Sequence, residues 1–411
     1  MKNNTHLSDK LKCKWMSLNL RSPFIFASLT LVSNVSIEEH VKYYREVYEM
    51  GAGAIVLPSI NPHIKGDANI NRTVAECLTF NTGCDSNSKT GFTVLGPTNP
   101  NIISRDYGIN LASRVRKECE NIPIIGSVAD LGTETEILDA ISALFEAGVN
   151  GMELNISCPN VITMGKDQCL KMLDLLNKIR KKYSLPISLK LSPQKDYSNL
   201  LTSVGGLVDG LTLSNAYIGL IPPKITTNSL SPFKRQKEWS PSGVYGPFER
   251  LLTFNTLYSY NRFANENKLS IACAGGIVSV QDAIQALMLG ADVVQLSSAV
   301  LWKSISVFEE YNNSFLDYME SEGIDNLSQI KGLALQYIKK CSDDLPFSKK
   351  RKMAINDHKC HKCSACSCCN RLCVAIHQDV NRSVHIDKDL CSGCGMCMEL
   401  CPNSAILMNY V

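Results

Sequence analysis

The stretch LSIACAGGIVSVQDAIQALMLGADVVQLSSA, residues 269–299, contains one complete strand–helix–strand unit. Leu269–Gly276 is a short apolar run ending in two glycines. Val280–Leu289 spaces its apolar positions along one helix face, Gly290 follows as a helix stop, and Val293–Ala299 is a second apolar run. Strands this uniformly apolar, joined through a helix, belong to a parallel sheet covered on both faces. Working outward, the same rhythm predicts strands over Phe24–Ser28, Ala54–Ile60, Ile122–Ala129, Gly151–Ser157, Pro186–Ser192 and Gly210–Ala216. Helical spacing fits Ile37–Met50, Glu134–Ala147, Gln168–Tyr183, Phe248–Asn265 and Ser304–Glu322, with Gly51 and Gly148 as further stops. Eight such units in about 300 residues predict an α/β fold, a (β/α)8 TIM barrel. A doubly wound open sheet would place a glycine-rich turn after its first strand, whereas Phe24–Ser28 runs on into Leu29, Thr30 and Leu31. Two long insertions, Asn61–Asn121 and Tyr217–Pro247, follow the second and sixth strands and are expected over the catalytic mouth.

The C-terminal tail departs from this rhythm. CHKCSACSCCNRLC, residues 360–373, and CSGCGMCMELCP, residues 391–402, each contain a C-x2-C-x2-C-x3-C run: Cys363, Cys366, Cys369 and Cys373, then Cys391, Cys394, Cys397 and Cys401. Each such run turns three thiolates onto one iron–sulfur cluster and sends its fourth cysteine to the other. The expectation is a small ferredoxin-like domain with two [4Fe–4S] clusters, Cys401 joining the first triad and Cys373 the second. Zinc is the alternative for C-x2-C pairs, but structural zinc sites do not call for the same four-cysteine run twice. Cys360 and Cys368 fall outside the pattern, and Val374 replaces the proline that Pro402 supplies after the second run. The expected domains are a barrel over 1–345, a linker over 346–356 and the ferredoxin-like part over 357–411.

With 411 residues, 45% of them apolar, the chain is long enough for one large core plus this tail. A formal charge of +3 is too small to point to nucleic acid, and the Lys349–Lys352 run reads as a solvated hinge. Outside the tail the cysteines are scattered singly, unlike a disulfide framework. The N-terminus lacks an apolar signal core, and no stretch reaches the roughly twenty apolar residues of a membrane span. A cytoplasmic chain without membrane or nucleic-acid partners is expected.

At the barrel mouth, Gly275 and Gly276 follow the seventh strand, and Ser297 and Ser298 follow the eighth. Barrels commonly bind phosphate at these two loops, where small residues let backbone N–H groups approach. A flavin is the expected owner of the phosphate, because it converts between electron pairs and the single electrons that clusters carry. Lys190 alternates with Leu189 and Leu191, so it points into the barrel, where a buried ammonium implies an anionic or electron-rich neighbour, and reduced flavin is expected to supply it. Asn155 and Asn215 stand at the ends of the fourth and sixth strands. Such amides match the alternating C=O and N–H groups of a cyclic amide. Cys158, directly after the fourth strand, is placed to exchange a proton.

These residues resemble the class 1 dihydroorotate dehydrogenase family and the flavin barrel of dihydropyrimidine dehydrogenases. The segment from Asn155 through Ile156, Ser157, Cys158 and Pro159 to Asn160 is similar to the family's most specific motif. The resemblance implies a cysteine acid/base at Cys158 and pyrimidine contacts from Asn155, Asn160 and Asn215. It also implies FMN held by Ala27, Ser28, Lys190, Gly275, Gly276, Ser297 and Ser298. A barrel joined to a two-cluster tail is similar to the pyrimidine-reducing subunits of bacterial NAD-dependent dihydropyrimidine dehydrogenases. That implies an electron partner, either an NAD(P)H-oxidising flavoprotein subunit or a ferredoxin, in a homo- or hetero-oligomer. The chain departs from the family at Leu57, Pro58 and Ser59, where a Thr-Lys-Ser is usual, and at Met164, where dihydropyrimidine enzymes carry their cysteine. Alternatives are a flavin dehydrogenase of the same build for another conjugated carbonyl compound, and a catalytically retired electron-transfer subunit.

Overall fold

The computed structural model describes residues 8–29, 36–66, 77–80, 92–95, 103–129, 132–157, 166–225, 230–234, 237–238, 241–339, 351–363, 365–366 and 373–410. The chain divides into two compact units, Met1–Tyr337 and Ile338–Val411. In the first, eight strands form the barrel: β1 (Phe24–Phe26), β2 (Ile55–Val56), β3 (Ile124–Ala129), β4 (Gly151–Asn155), β5 (Ile187–Leu191), β6 (Gly210–Leu213), β7 (Ser270–Ala274) and β8 (Val293–Leu296). All neighbours are parallel. β8 pairs with β1 and β3 pairs back onto β4, so the sheet closes on itself. The eight predicted strands are these eight, with shorter ends.

The barrel interior is layered because side chains alternate across each strand. At the N-terminal end a hairpin, Cys13–Trp15 with Leu18–Leu20, closes the bore, and Trp15 and Met16 pack on Ile25, Val56, Ile125, Ala272 and Val293. A Cβ on Gly210 would lie 2.9 Å from Met16 Cγ, so the plug fits only against glycine there. One step up the strands the inward layer turns polar, with Glu153, Ser188, Lys190, Thr212 and Gln295 all buried. The outward residues of the same strands, including Met152, Leu154, Leu189 and Leu191, enter the large apolar core beneath the helices.

The predicted helices are present as α1 (Ile37–Glu49), α3 (Glu134–Glu146), α4 (Lys166–Lys182), α6 (Arg250–Glu266), α7 (Val280–Met288) and α9 (Val307–Ser321). Among the described residues of this unit three more were not predicted: α2 (Arg105–Glu118), α5 (Ser198–Val204) and α8 (Ser298–Lys303). The region Asn61–Asn121 is therefore not wholly an insertion, since its last part is the barrel helix α2. Gly108, in the first turn of α2, weakens the helical signal there, yet a Cβ on it would stand 2.1 Å from Ile60 Cγ2. What remains of that insertion joins the second one. Tyr217–Gly219, Ser242–Tyr245, Phe92–Leu95 and Cys77–Phe80 form one antiparallel four-stranded sheet in that order. Among the described residues no helix is long and apolar enough to cross a membrane.

In the second unit, Arg351–Ile355 pairs antiparallel with Ile406–Tyr410, and Ile376–Gln378 with Val384–Ile386. The segment read as a linker over 346–356 thus contains a strand of the tail's own sheet. Its basic residues obscure the short pattern, although Met353 on the same strand is buried in the tail's small core. Lys352, expected in a hinge, donates from Nζ to the Cys391 carbonyl at 2.7 Å.

Candidate active site and cluster site

The C-terminal ends of the barrel strands converge on a polar network. Ser28 at the end of β1 lies 3.2 Å from Ser59 across their hydroxyls, and Ser59 lies 2.7 Å from Ser127 on β3. Asn155, the last residue of β4, donates from Nδ2 to Ser59 Oγ at 3.3 Å. Asn215 then donates from Nδ2 to Asn155 Oδ1 and to the Ser157 carbonyl, both at 3.0 Å. Ser157 in turn donates to the Lys190 carbonyl at 2.8 Å. Two of the three predicted amides are therefore side by side, on strands that are not neighbours. Cys158 and Asn160 lie outside the described residues, as does Met164; Cys158 directly follows Ser157 in the chain.

Beneath this network Lys190, 6% exposed, has its Nζ 3.4 Å from Oε1 of Glu153, which is fully buried. The sequence points to reduced flavin as the neighbour of this lysine, whereas the carboxylate beside it in the structure belongs to the chain itself, because Glu153 alternates inward on the adjoining strand. Oε2 of Glu153 accepts from Thr212 Oγ1 at 2.9 Å and from Gln295 Nε2 at 2.8 Å. Each charge is compensated, as burial demands. The alternation that exposed Lys190 to view also applies to Glu153, between Met152 and Leu154 on β4.

Gly275 and Gly276 leave β7 with φ of +103° and +77°. A Cβ on Gly276 would stand 2.3 Å from the Arg250 backbone nitrogen, so this loop packs directly on the start of α6. Ala27 is buried at the end of β1 and donates its N–H to the Leu296 carbonyl at 3.1 Å. Ser297 and the buried Ser298 follow β8 next to β7, with Ala274 in register with Gln295.

Sequence reasoning missed Glu249. It is 2% exposed, and its Oε1 accepts the Tyr217 N–H at 2.8 Å just beyond Asn215. Its other oxygen would be 3.4 Å from a Cβ on Gly275, beside Thr253 and Ser214. Burial pushes its carboxyl up to about 8, against the opposing pull of the Tyr217 and Gly246 backbone groups and of Lys190. An acidic residue just ahead of a helix reads in sequence as an ordinary helix start, so nothing in the pattern marked it.

In the tail, Cys363, Cys366 and Cys401 line one cavity, and Cys360, expected to be spare, lines it with them. The Ala405 N–H points at Cys401 Sγ at 3.3 Å, and Asn403 Nδ2 lies 3.9 Å from Cys363 Sγ. Such donors offset the negative charge of thiolate ligands. Among the described residues no three histidine, cysteine or acidic side chains are placed to hold a single metal ion. Cys373, Cys397 and Cys401 pack against the tail's core, in which Cys366 and Cys391 are buried, while Cys394 is exposed. Cys369 and Cys368 lie outside the described residues.

Comparison with known proteins follows the same division. The profile of the dihydroorotate dehydrogenase family matches residues 99–319, and that of the 4Fe-4S binding domain matches residues 384–407. The chain is similar to the catalytic subunit of dihydroorotate dehydrogenase B (NAD(+)) from Thermoplasma volcanium, with 26% identity over 323 residues, 78% of this chain and 96% of the relative. The subunit of the same name from Malacoplasma penetrans is 29% identical over 309 residues, 73% and 88% of the two chains. That from Pyrococcus furiosus is 25% identical over 332 residues, 79% and 98%.

Proposed function

Because the chain belongs to the dihydroorotate dehydrogenase family, and so is a flavin-dependent oxidoreductase acting on a CH–CH bond, we propose that its substrate is a pyrimidine-like ring. The observation that carries this is the Asn215 to Asn155 hydrogen bond at 3.0 Å. It aligns two primary amides at the mouth, able to meet the alternating donors and acceptors of a cyclic imide edge. Asn160 would add a third amide. Cys158 would hold and move the proton on the ring face away from the flavin, a role that needs a group titrating within reach of neutral pH.

FMN, when bound, supplies hydride transfer to or from the ring carbon. The residues present fit it. Lys190 is a buried cation beneath the amides, Gln295 Oε1 is a buried acceptor without a hydrogen-bond partner, and the Gly275–Gly276 turn has the positive φ of a close backbone approach. Ala27, Ser28, Lys190, Gly275, Gly276, Ser297 and Ser298 would hold it. The tail would carry two [4Fe–4S] clusters and take electrons from a partner, either an NAD(P)H-oxidising flavoprotein subunit or a ferredoxin, as in iron–sulfur dihydropyrimidine dehydrogenases. The naming of the relatives as catalytic subunits supports a separate partner.

Anaerobically reduced protein titrated with a panel of pyrimidines and non-pyrimidine enones tests the proposal. Reoxidation of the flavin absorbance by a pyrimidine is expected. Reoxidation by enones alone would move the substrate class, and reoxidation by neither would favour a retired barrel. NADH alone should leave both flavin and cluster absorbance oxidised.

A further inference from the structure

Three hydrogen bonds in one half of the tail recur at equivalent places in the other. Asn356 donates its N–H to the Ala405 carbonyl at 2.7 Å, and Asp387 donates to the Ala375 carbonyl at 2.7 Å. Four residues on, the Cys360 N–H meets the Asn356 carbonyl at 3.0 Å, and the Cys391 N–H meets the Asp387 carbonyl at 3.0 Å. The side chains follow suit: His358 N–H donates to Asn356 Oδ1 at 3.1 Å and Asp389 N–H to Asp387 Oδ1 at 2.8 Å. Each turn follows a strand, Arg351–Ile355 in one half and Val384–Ile386 in the other. Cys360 therefore holds in its half the place that Cys391 holds in the half matched by the 4Fe-4S binding domain. From Cys360 the spacing C-x2-C-x2-C runs through Cys363 to Cys366, as from Cys391 through Cys394 to Cys397.

The cavity in this half supplies an independent observation, because its lining includes four thiols: Cys360, Cys363, Cys366 and Cys401. We infer that the first [4Fe–4S] cluster is held by Cys360, Cys363, Cys366 and Cys401, so that its triad begins three residues earlier than the C-x2-C-x2-C-x3-C spacing selects. The inference rests on the two-cluster reading of the tail. Four cysteines at intervals of three, Cys360, Cys363, Cys366 and Cys369, let the sequence pattern fit in two registers. The turn at Asn356 fixes one of them. A cluster needs one thiolate per iron, so the earlier register displaces Cys369 from the first set and leaves Cys373 as the fourth ligand of the second.

The test is iron and acid-labile sulfide content, with electron paramagnetic resonance of the dithionite-reduced full chain, in Cys360→Ala, Cys360→Ser and Cys369→Ala. Wild type should contain about eight irons, the two-cluster count. About four in wild type would remove the two-cluster reading itself, whatever the variants do. Given eight, Cys360→Ala should lose at least half the iron, and Cys360→Ser, which offers an oxygen ligand in the same place, should give an altered or missing first-cluster signal. Cys369→Ala should keep about eight irons and the wild-type spectrum. Full iron and an unchanged spectrum in Cys360→Ala would overturn the assignment. So would iron loss in Cys360→Ala with a wild-type spectrum in Cys360→Ser, since that is how a packing residue behaves. Loss of half the iron in Cys369→Ala but none in Cys360→Ala would restore the later register.

Discussion

Replacing Glu249 by glutamine should make the barrel more stable as the solution becomes more alkaline, relative to wild type. The carboxyl is raised from 4.5 to about 8 in the folded chain, mainly by burial. A group whose folded pKa lies above its unfolded value contributes stability that is complete below the unfolded value and is lost as pH rises through the folded one. Wild type therefore pays for this proton across the window from about 4.5 to 8, where the unfolded chain has already released it. At about 1.36 kcal/mol per unit, the contribution lost between about pH 5 and pH 8.5 is on the order of 4 kcal/mol. Glutamine keeps an acceptor for the Tyr217 N–H and has no proton to lose. Other titrating groups are common to both proteins and cancel in the difference. The assay is urea unfolding of wild type and Glu249→Gln at a series of pH values in one buffer system. The stability difference should grow in favour of the variant as pH rises and level off above about pH 8. Parallel profiles would show that Glu249 titrates in the folded chain as it does in water, and would refute the burial argument. A difference that grows towards acid would mean that Lys190 and the backbone donors outweigh burial.

Lys190→Met should leave Glu153 buried without its cation and cost about 3–5 kcal/mol in unfolding free energy. The double variant with Glu153→Gln should recover most of that stability while flavin retention stays low, which separates the ion pair from cofactor binding. Gly276→Ala places a Cβ 2.3 Å from the Arg250 nitrogen at a φ of +77°, so its flavin-to-protein ratio after gel filtration should fall well below wild type. Cys158→Ser should slow substrate turnover by roughly 10²–10⁴ with normal flavin content, and full turnover would exclude the thiol from proton transfer.

The barrel was legible because its strands are buried on both faces, so each reads as a short apolar run between helical periods. Helix α2 was not, since its buried face opens on Gly108, a poor helix former required where the first turn meets Ile60, and its mean composition is polar. In the site, alternation along β5 located Lys190, and the strand ends located Asn155 and Asn215. The hydroxyls of Ser59 and Ser127 carry no sequence signal, because serine at a strand end is unremarkable until a fold brings two ends within 2.7 Å. Glu249 is separated from Lys190 by an entire strand and the second insertion, and its burial is a property of the assembled mouth. The cysteine spacing revealed the kind of site and left its register open, because a repeat of three fits its own pattern twice.

The antiparallel sheet built from both insertions makes the two halves of the barrel dependent on each other. Tyr245 pairs with Thr93, and the residues between them include four of the eight barrel strands. Such distant partners meet only after the intervening strands have ordered, so this sheet completes late in folding. Removing the strand Phe92–Leu95 or Ser242–Tyr245, or exchanging it for a segment that does not pair, leaves an unpaired edge on the other insertion. In laboratory recombination the two segments should therefore behave as a single heritable block, although more than a hundred residues of chain lie between Leu95 and Tyr217.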